Sequence, residues 1–329
     1  MSTIPDISVV MSVYNGEDGL RETVDSILSQ QHVSLEFIIV NDGSTDQTQE
    51  ILEDYARRDS RVKLIHQDNQ GLTNSLINGC AAAEGRYIAR QDAGDVSLPD
   101  RLIRQLSFIQ QHPDAAFASC GTLYVGPSGE HLYEVKRNPD NATERLRTSR
   151  VDTIQGPSSH PSTIFPRSLY EDIKGYRSTF YFAQDIDLWI RLAERGEHIV
   201  MPDVLYKAAF AVRSISGQYR REQIETAQLI IESARRRREG LDDSDVLRQA
   251  SAIRPDANRR KGRLARARTM YFIGMCLRKN RDPHSSKYFK KAFLTYPFHF
   301  KSAVRFLLAA RTATWNRDVQ RDSTSGISA

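Results

Sequence analysis

Short apolar runs alternate with segments of helix-like spacing between Ile7 and Ala89. Apolar runs predict two buried strands over Ile7–Val13 and Glu36–Val40, and two further strands over Val62–His66 and Tyr87–Ala89. Between the strands, helices are predicted over Leu20–Gln30, from a cap at Thr45 or Asp46 to about Arg58, and from the end of Asn69-Gln70-Gly71 to near Gly85. This alternation predicts an α/β fold with a parallel sheet and right-handed crossover connections.

Polar segments follow three of these strands. They are Tyr14-Asn15-Gly16, Asn41-Asp42-Gly43 and Asp92-Ala93-Gly94-Asp95. Ligands of open parallel sheets bind beyond the carboxyl ends of the strands, so the three loops predict one binding crevice. Any one of these carboxylates alone is equally explained as a turn residue. The chain has no GxGxxG after the first strand and no GxxxxGK[ST] loop, so clustered carboxylates favour Mg²⁺ or Mn²⁺ bridging to a diphosphate.

The pattern becomes helical beyond Tyr206. A long amphipathic helix is predicted from Gln218 to Arg238, and further helices over residues 259–280, 284–296 and 299–316. We therefore expect an α/β domain over residues 1–212 and a helical C-terminal extension over residues 213–329.

The formal net charge of +5 conceals an asymmetry between these two parts. Residues 213–329 hold 26 Lys and Arg against 11 Asp and Glu, whereas residues 1–212 hold 20 against 30. The basic part is explained either by solvated helix faces or by attraction to an anionic surface. It lacks the interleaved aromatic residues of a nucleic-acid-binding segment, so no nucleic-acid partner is expected.

Composition indicates an ordinary globular chain of 329 residues with a mean hydropathy of -0.51. No apolar run reaches the ~18–20 residues of a membrane span, and no secretory signal is visible at the start. The three cysteines, Cys80, Cys120 and Cys276, are far apart, which excludes a disulfide framework. These features predict a cytoplasmic protein.

Five ordered blocks carry a family resemblance. They are Ser8–Gly16, Phe37–Asp46, Gly85–Asp95, His160–Phe165 with Gly175-Tyr176, and Gln184–Trp189. In order and spacing they resemble the family-two inverting glycosyltransferases of the GT-A fold, over roughly residues 5–212. The resemblance implies a mostly parallel nucleotide-binding sheet flanked by helices. It also implies transfer of a sugar from a nucleotide-diphospho-sugar to an acceptor hydroxyl, in bacterial surface-polysaccharide or glycolipid assembly.

The resemblance also implies which residues hold the donor. Contacts with the donor nucleotide are expected from Ser12, Val13, Tyr14, Asn15, Asp42 and Asp92. A Mn²⁺ or Mg²⁺ ion is expected on Asp95 and Asp92. Gly94 stands where the family usually has a ligating aspartate, and glycine has no side chain to ligate. Either the neighbouring carboxylates take over, or metal dependence is weaker.

Asp185 occupies the position of the family's catalytic base. Gln184 replaces the usual glutamate beside it, which removes a like charge and should leave Asp185 ionised at neutral pH. Without the other blocks, Asp185 would be explained as a carboxylate favoured by the helix dipole. His160, Gln184 and Arg90 are candidate contacts with the acceptor or the diphosphate, although a lone histidine is often structural.

Two functions remain open from the sequence. The first is transfer from a UDP-, GDP- or dTDP-sugar to a glycan or lipid-linked acceptor. The second is a catalytically silent nucleotide-sugar-binding or scaffold protein whose metal motif is degenerate at Gly94. The basic extension is expected either to dock on the anionic cytoplasmic face of the inner membrane or to pack as a cover or homodimer interface. In the docking case, a chain ending near Ser251 should stay in solution.

Overall fold

A computed structural model describes residues 4–148, 150–210, 219–255 and 262–305 of the protein. Its strands are β1 (Ile7–Val13), β2 (Leu35–Asp42), β3 (Val62–Gln67), β4 (Tyr87–Asp92), β5 (Val96–Ser97), β6 (Ala115–Val125), β7 (His131–Val135), β8 (Thr163–Pro166) and β9 (Glu197–Ala209). Its first seven helices are α1 (Leu20–Leu28), α2 (Thr48–Arg58), α3 (Leu72–Ala81), α4 (Arg101–Gln110), α5 (Ala142–Arg147), α6 (Arg167–Asp172) and α7 (Gln184–Ala193). Four more follow: α8 (Arg220–Arg238), α9 (Ser244–Ala252), α10 (Arg263–Lys279) and α11 (Ser285–Thr295).

Nine strands of the described residues form one sheet in the order β3-β2-β1-β4-β8-β6-β9-β5, with β7 paired to β6. The four N-terminal strands are parallel, as predicted. Strand β8 continues the sheet antiparallel to β4, and β5 pairs antiparallel with β9. The carboxyl ends of β1, β2 and β4 therefore lie at one edge of the sheet, with Ser12 opposite Asp92 in register.

Helices cover both faces of the sheet, which explains why every residue of β2 and all but one of β1 are buried. Apolar side chains of α1, α2 and α4 pack on one face, and those of α3 and α7 pack on the other. Helix α3 lies very close to the sheet, because a Cβ atom added at Gly79 would be 2.7 Å from Val10 Cγ1. The predicted α/β fold and C-terminal helices are confirmed.

Some predicted boundaries differ from the structure. Helix α3 ends at Ala81 rather than near Gly85, where a Cβ atom would be 2.5 Å from the backbone nitrogen of Ser8. Helix α2 begins at Thr48 rather than after Thr45 or Asp46, and the Thr48 amide donates to Asp46 Oδ1 at 3.1 Å. Strands β2 and β4 extend to Asp42 and Asp92, so those residues end the strands rather than follow them.

The described chain forms two compact units. The first contains residues up to 124, 134–209 and 221–255, and therefore includes most of α8 and all of α9. In this unit Ile230, Ile231 and Ala234 of α8 form a core with Phe180 and Ile190. The predicted domain boundary at residue 212 lies outside the described residues and stays a prediction.

Four consecutive arginines, Arg235–Arg238, end α8. Each guanidinium forms an ion pair with a carboxylate of the same unit. The partners are Glu232 and Glu239 for Arg235, Glu232 and Asp245 for Arg236, and Glu194 for both Arg237 and Arg238. This basic run is thus compensated by neighbouring acidic side chains.

The second unit comprises residues 125–133, 210–220 and 256–329, of which 125–133, 210, 219–220 and 262–305 are described. Leu132 packs with Ile273, Leu277 and Tyr288 in its core. The side-chain amide of Asn280 donates to the carbonyls of His131 and Leu132 at 2.9 and 2.8 Å. Helices α10 and α11 correspond to the predicted helices over 259–280 and 284–296, and residues 300–305 begin the third, whose remainder lies outside the described residues. Within the described ranges no helix is long and apolar enough to span a membrane.

Candidate active site

The loops after β1 and β2 are joined by hydrogen bonds. The Asn15 amide donates to Ser44 Oγ at 3.0 Å, and Asn15 Oδ1 accepts from the Thr45 amide at 2.7 Å. The Gly16 amide donates to Thr48 Oγ1 at 2.9 Å. Asn15 adopts a left-handed backbone with φ 49°, which asparagine tolerates better than most residues. The two loops therefore form one rim of the crevice.

The residues expected to contact a nucleotide differ in accessibility along this rim. Tyr14 is 53% exposed, so it is not a core residue. Val13 is buried in the core, and its side chain is unavailable to a ligand. Ser12 is partly buried at the end of β1. A ligand can therefore contact the side chains of Ser12, Tyr14 and Asn15, but Val13 through its backbone alone.

Asp42 is buried and holds the loop that follows β3. Its Oδ1 accepts from Gln67 Nε2 and from the Gln70 amide, both at 2.8 Å, and its Oδ2 accepts from the Gly71 amide at 2.9 Å. An ionised carboxylate offers about four lone-pair sites. Three are used within the chain, which leaves room for about one more donor.

The residues Asp92–Asp95 form a tight turn at the end of β4. The Asp95 amide donates to the Asp92 carbonyl at 3.3 Å, and the Gly94 amide donates to Thr23 Oγ1 at 3.0 Å. Gly94 has φ 88°, and a Cβ atom added there would meet no heavy atom within 4 Å. Open space therefore lies where an aspartate side chain was expected.

Tyr206 of β9 holds this turn in place through hydrogen bonds of its hydroxyl group. Its hydroxyl accepts from the Asp92 amide at 3.1 Å and donates to Asp95 Oδ2 at 3.0 Å. The Ala209 amide donates to Asp95 Oδ1 at 2.9 Å. The sequence interpretation missed Tyr206, because one tyrosine in a strand about a hundred residues away gives no local signal.

Asp95 is buried and Asp92 is 41% exposed. Burial, together with the negative charge of Asp92, raises the pKa of Asp95 to about 8. A bound cation would relieve this repulsion, which fits a pair of carboxylates that share a divalent ion. Among the described residues, no group of three or more His, Cys, Asp and Glu side chains is arranged to hold a metal.

Arg90 lies fully buried beneath Asp92. Its Nη2 donates to Asp92 Oδ1 at 2.7 Å, and its Nη1 donates to the carbonyls of Val10 and Gln91. The Nε atom is buried without a hydrogen-bond partner. The guanidinium therefore does not reach the crevice, which corrects the expectation that Arg90 contacts the acceptor or the diphosphate directly; it orients Asp92 instead.

Asp185 lies in the first turn of α7 and is partly buried. Its Oδ1 accepts from the Ile186 amide at 3.0 Å. Burial raises the pKa of Asp185 to about 6, and the charge of Asp92 contributes to the rise, while backbone hydrogen bonds and Arg90 oppose it. The two carboxylates and Arg90 are thus close enough to influence one another. The neighbouring Gln184 side chain is buried and carries no charge.

His160 packs beside α7 rather than lying free in its loop. Its Nε2 is 2.6 Å from the Tyr176 hydroxyl, and its ring lies edge-on to Trp189 with 5.9 Å between centroids. Burial and the charge of Arg90 hold the pKa of His160 well below its usual value. Burial also raises the pKa of Tyr176 well above its usual value. A neutral histidine and a neutral tyrosine therefore line this side of the site.

Arg101 is a second fully buried arginine that the sequence interpretation missed. It donates to Ser97 Oγ at 2.8 Å and to the Arg90 carbonyl at 2.9 Å. Its guanidinium carbon lies 4.8 Å from the centre of the Tyr206 ring. Arg101 thus supports both residues that hold the Asp92–Asp95 turn.

A mixed sheet whose four N-terminal strands are parallel, with acidic residues at their carboxyl edge and helices on both faces, is typical of an α/β fold of the GT-A type. Two solved structures share this fold. Staphylococcus aureus TarS 1-349 matches with a TM-score of 0.54 and 16% identity, covering 94% of this chain and 91% of that chain. A mannosyltransferase from Pyrobaculum calidifontis, solved with GDP-Man and Mn²⁺, matches with a TM-score of 0.53 and 19% identity, covering 96% and 88%.

Residues 8–173 match the profile described as Glycosyl transferase family 2. The chain is 34% identical over 253 residues to EpsE of Bacillus subtilis, named a glycosyltransferase, covering 74% of this chain and 87% of that protein. It is also 34% identical over 195 residues to TuaG of Bacillus subtilis, named for teichuronic acid biosynthesis, covering 58% and 73%. The chain belongs to glycosyltransferase family 2. The predicted transferase activity is confirmed, and the silent scaffold is not favoured.

Proposed function

We propose that this glycosyltransferase inverts the anomeric centre and that Asp185 is its catalytic base. One observation carries the proposal: a partly buried Asp185 with a pKa of about 6 lies within the electrostatic influence of Asp92 at the carboxyl edge of the sheet. A base with this pKa is mostly ionised at neutral pH, yet it is more basic than an ordinary aspartate. Gln184, being neutral, adds no further negative charge.

The proposed reaction is a single in-line displacement. The acceptor oxygen bonds to the anomeric carbon while the bond from that carbon to the diphosphate oxygen breaks on the opposite face. Asp185 takes the proton of the acceptor hydroxyl, and the electron pair of the broken bond leaves with the nucleoside diphosphate. The partly buried His160, held by the Tyr176 hydroxyl, can help to orient the acceptor, and its lowered pKa keeps it from competing with Asp185 for the proton.

The donor nucleotide is proposed to lie along the rim formed after β1 and β2. The exposed Tyr14 offers an aromatic face for the base, and the buried Asp42 supports the site by ordering the loop after β3. Ser12 and Asn15 add polar side chains. The TarS protein was solved with UDP-GlcNAc and the Pyrobaculum enzyme with GDP-Man, which supports a nucleoside-diphosphate sugar without selecting its base.

Asp92 and Asp95 are proposed to hold a Mn²⁺ or Mg²⁺ ion together with the donor diphosphate. Such an ion would neutralise negative charge on the departing diphosphate. Asp92 is the more exposed of the two, whereas both oxygens of Asp95 already accept hydrogen bonds from Tyr206 and Ala209. The space at Gly94 admits the diphosphate close to the backbone of the turn.

The proposed setting is the assembly of a surface polysaccharide or glycolipid. It is supported by the name of TuaG, which refers to teichuronic acid biosynthesis. The acceptor is then a glycan or a lipid-linked glycan, and we place the enzyme at the cytoplasmic face of the membrane that carries it.

The donor part of the proposal is tested by thermal unfolding with UDP-, GDP- and dTDP-sugars, each with Mn²⁺ or with EDTA. A ligand present at 100 times its Kd should stabilise the protein by about 2.7 kcal/mol. We expect one nucleotide class to raise the Tm, and more strongly with Mn²⁺. Absence of a shift with every donor in both conditions would contradict the proposal.

A further inference from the structure

One face of α11 is both basic and exposed in the second unit. Lys290, Lys291 and Leu294 are exposed and recur at helical spacing, so they lie on one side of the helix. Tyr288, Phe289 and Ala292 are buried on the opposite side. Leu294 is 66% exposed although it is apolar. The outward face of α11 thus combines two lysines with a solvent-exposed leucine.

The chain after α11 continues this pattern. Phe298 and Phe300 are 71% and 74% exposed, and Lys301 and Val304 follow on the exposed side of the helical residues 300–305. The turn itself is ordered by internal contacts, since His299 Nδ1 is 2.6 Å from Ser302 Oγ and its ring lies 5.1 Å from that of Tyr271. The exposure of the two phenylalanines is therefore a property of a defined turn.

We call Lys290, Lys291, Leu294, Phe298, Phe300, Lys301 and Val304 the basic–aromatic surface. Residues 262–305 contain 11 Lys and Arg and a single acidic residue, Asp282, whose carboxylate contacts His284. Among the described residues, Lys290, Lys291 and Lys301 form no ion pair. This differs from Arg235–Arg238 of the first unit, which are all paired.

We propose that the basic–aromatic surface docks the enzyme on an anionic lipid bilayer. Lysines that form no ion pair are attracted to the negatively charged surface of such a bilayer. Exposed phenylalanines can insert at the boundary between the headgroups and the acyl chains. Charge complementarity selects this occupant, because a second copy of the same surface would oppose lysine to lysine. The inference gives the proposed lipid-linked acceptor a physical location, and in that sense it rests on the proposed function. Vesicle binding is measured without any transfer reaction, so each can fail separately.

The experiment needs point variants rather than a shortened chain. A chain ending near Ser251 would remove Ile273, Leu277 and Tyr288, the core partners of Leu132, and would expose new apolar surface. Two full-length variants are therefore used: Phe298→Ser with Phe300→Ser, and Lys290→Ser with Lys291→Ser and Lys301→Ser. All five positions are exposed, so folding should be unaffected.

Matched controls come from the first unit. Ile4→Ser with Ile224→Ser removes two exposed apolar side chains, and Arg21→Ser with Arg86→Ser and Arg248→Ser removes three exposed basic ones that form no ion pair among the described residues. Each protein is sedimented with vesicles of phosphatidylcholine alone or with phosphatidylglycerol, in about 0.05 M and about 1 M salt. Sedimentation velocity without vesicles reports the oligomeric state.

We expect the intact protein and both controls to bind the anionic vesicles at low salt, and to bind neutral vesicles weakly. Each surface variant should lose about tenfold or more in partition coefficient, and binding of the intact protein should weaken at high salt. Equal binding by variants and controls would overturn the proposal. Failure of the intact protein to bind the anionic vesicles would also overturn it, and sedimentation velocity would then show whether a dimer is formed instead.

Discussion

Asp185 illustrates how a single carboxyl group is tuned by its surroundings. It lies in the first turn of α7, where one hydrogen bond from Ile186 stabilises its charge, while burial and Asp92 destabilise it. The balance raises its pKa to about 6. The sequence indicated that a neutral Gln184 should leave Asp185 ionised at neutral pH, and a pKa of about 6 agrees with that expectation.

Asp185→Asn should abolish turnover while donor binding survives. Asparagine keeps the size of the side chain and an oxygen for the Ile186 amide, but it cannot accept the proton. We expect turnover to fall by ~10²–10⁴-fold. Release of nucleoside diphosphate measures turnover, and calorimetric titration measures donor binding. The control is Asp172→Asn, which changes an exposed carboxylate on α6. Near-normal turnover by Asp185→Asn would refute the assignment of the base.

The pH profile should carry the signature of the same group. A base must be deprotonated, so kcat/KM should fall about tenfold for each pH unit below about 6. Gln184→Glu places a second negative charge beside Asp185 and should move this acidic limb to higher pH. The measurement is kcat/KM between about pH 4.5 and about pH 8 for both proteins. A limb that stays in place, or moves lower, would show that another group titrates.

Asp95→Asn separates a metal role from a purely structural one. The substitution removes the charge yet keeps an oxygen that accepts from Tyr206 or Ala209. Donor affinity in Mn²⁺ should fall about tenfold or more, as for other changes around a metal, whereas affinity in EDTA should change little. Equal losses in both conditions would mean that Asp95 contacts the nucleotide or merely holds the turn.

The unfolding temperature of the apo-protein provides the control for Asp95→Asn. The pKa of Asp95 is raised to about 8 by burial and by Asp92, so its ionisation opposes folding. The stability linked to this group is present below its unfolded pKa of ~4 and is lost as the pH rises through about 8. At pH above about 8 the neutral variant should therefore unfold at a temperature no lower than that of the parent protein.

The sequence identified those candidate site residues that lie in short local motifs. Asp92, Asp95 and Asp185 were identified from blocks of adjacent residues, whereas Tyr206 and Arg101 were not. Those two act through contacts between distant segments, and an arginine near a helix start is usually expected to be solvated. The burial of Arg90 also could not be predicted, because the pattern of residues along a strand does not show whether a charged side chain is buried in the folded protein.

Helix α8 shows the same limit at the scale of an element. Its amphipathic pattern correctly predicted a helix that ends at Arg238. The pattern does not show which part of the protein the apolar face of the helix packs against. In the structure that face packs on Phe180 and Ile190, and Arg177 links Asp187 of α7 to Ser233 of α8. The helix that carries the proposed base is therefore packed against a helix that the sequence assigned to the extension. Helix α9 was missed altogether.

Ile230→Ala should destabilise the first unit, whereas Ile224→Ala on the same helix should not. Ile230 is buried, and loss of its side chain should reduce the free energy of unfolding by about 2–5 kcal/mol. Ile224 is 46% exposed, so its replacement should change that free energy by no more than about 0.5 kcal/mol. Urea unfolding, followed by tryptophan fluorescence to which the buried Trp189 contributes, measures both. Equal effects would contradict the packing of α8 in this unit.

At the scale of the whole molecule, the net charge counted over a segment of the chain differs from the charge that stays uncompensated on the folded protein's surface. Residues 213–329 hold 26 basic residues, yet those of α8 that are most conspicuous in the sequence are engaged by Glu194, Glu232, Glu239 and Asp245. Among the described residues, Lys290, Lys291 and Lys301 form no such ion pair. A count along the chain cannot make this distinction, because the compensating acids come from three separate segments.

The paired arginines of α8 also bear on how the protein meets a protease. Arg235–Arg238 offer trypsin four successive cleavage sites, but a protease needs an extended backbone and a free side chain, and here both are withheld by the helix and its ion pairs. Cleavage there should wait for α8 to open, at a rate set by the population of the open form. Mass spectrometry of timed digests should show these cuts late, and later still with bound donor. Early cuts in the folded protein would mean that α8 is loose. If the cuts are late, the rate of cleavage at Arg235–Arg238 would report how often the catalytic unit opens.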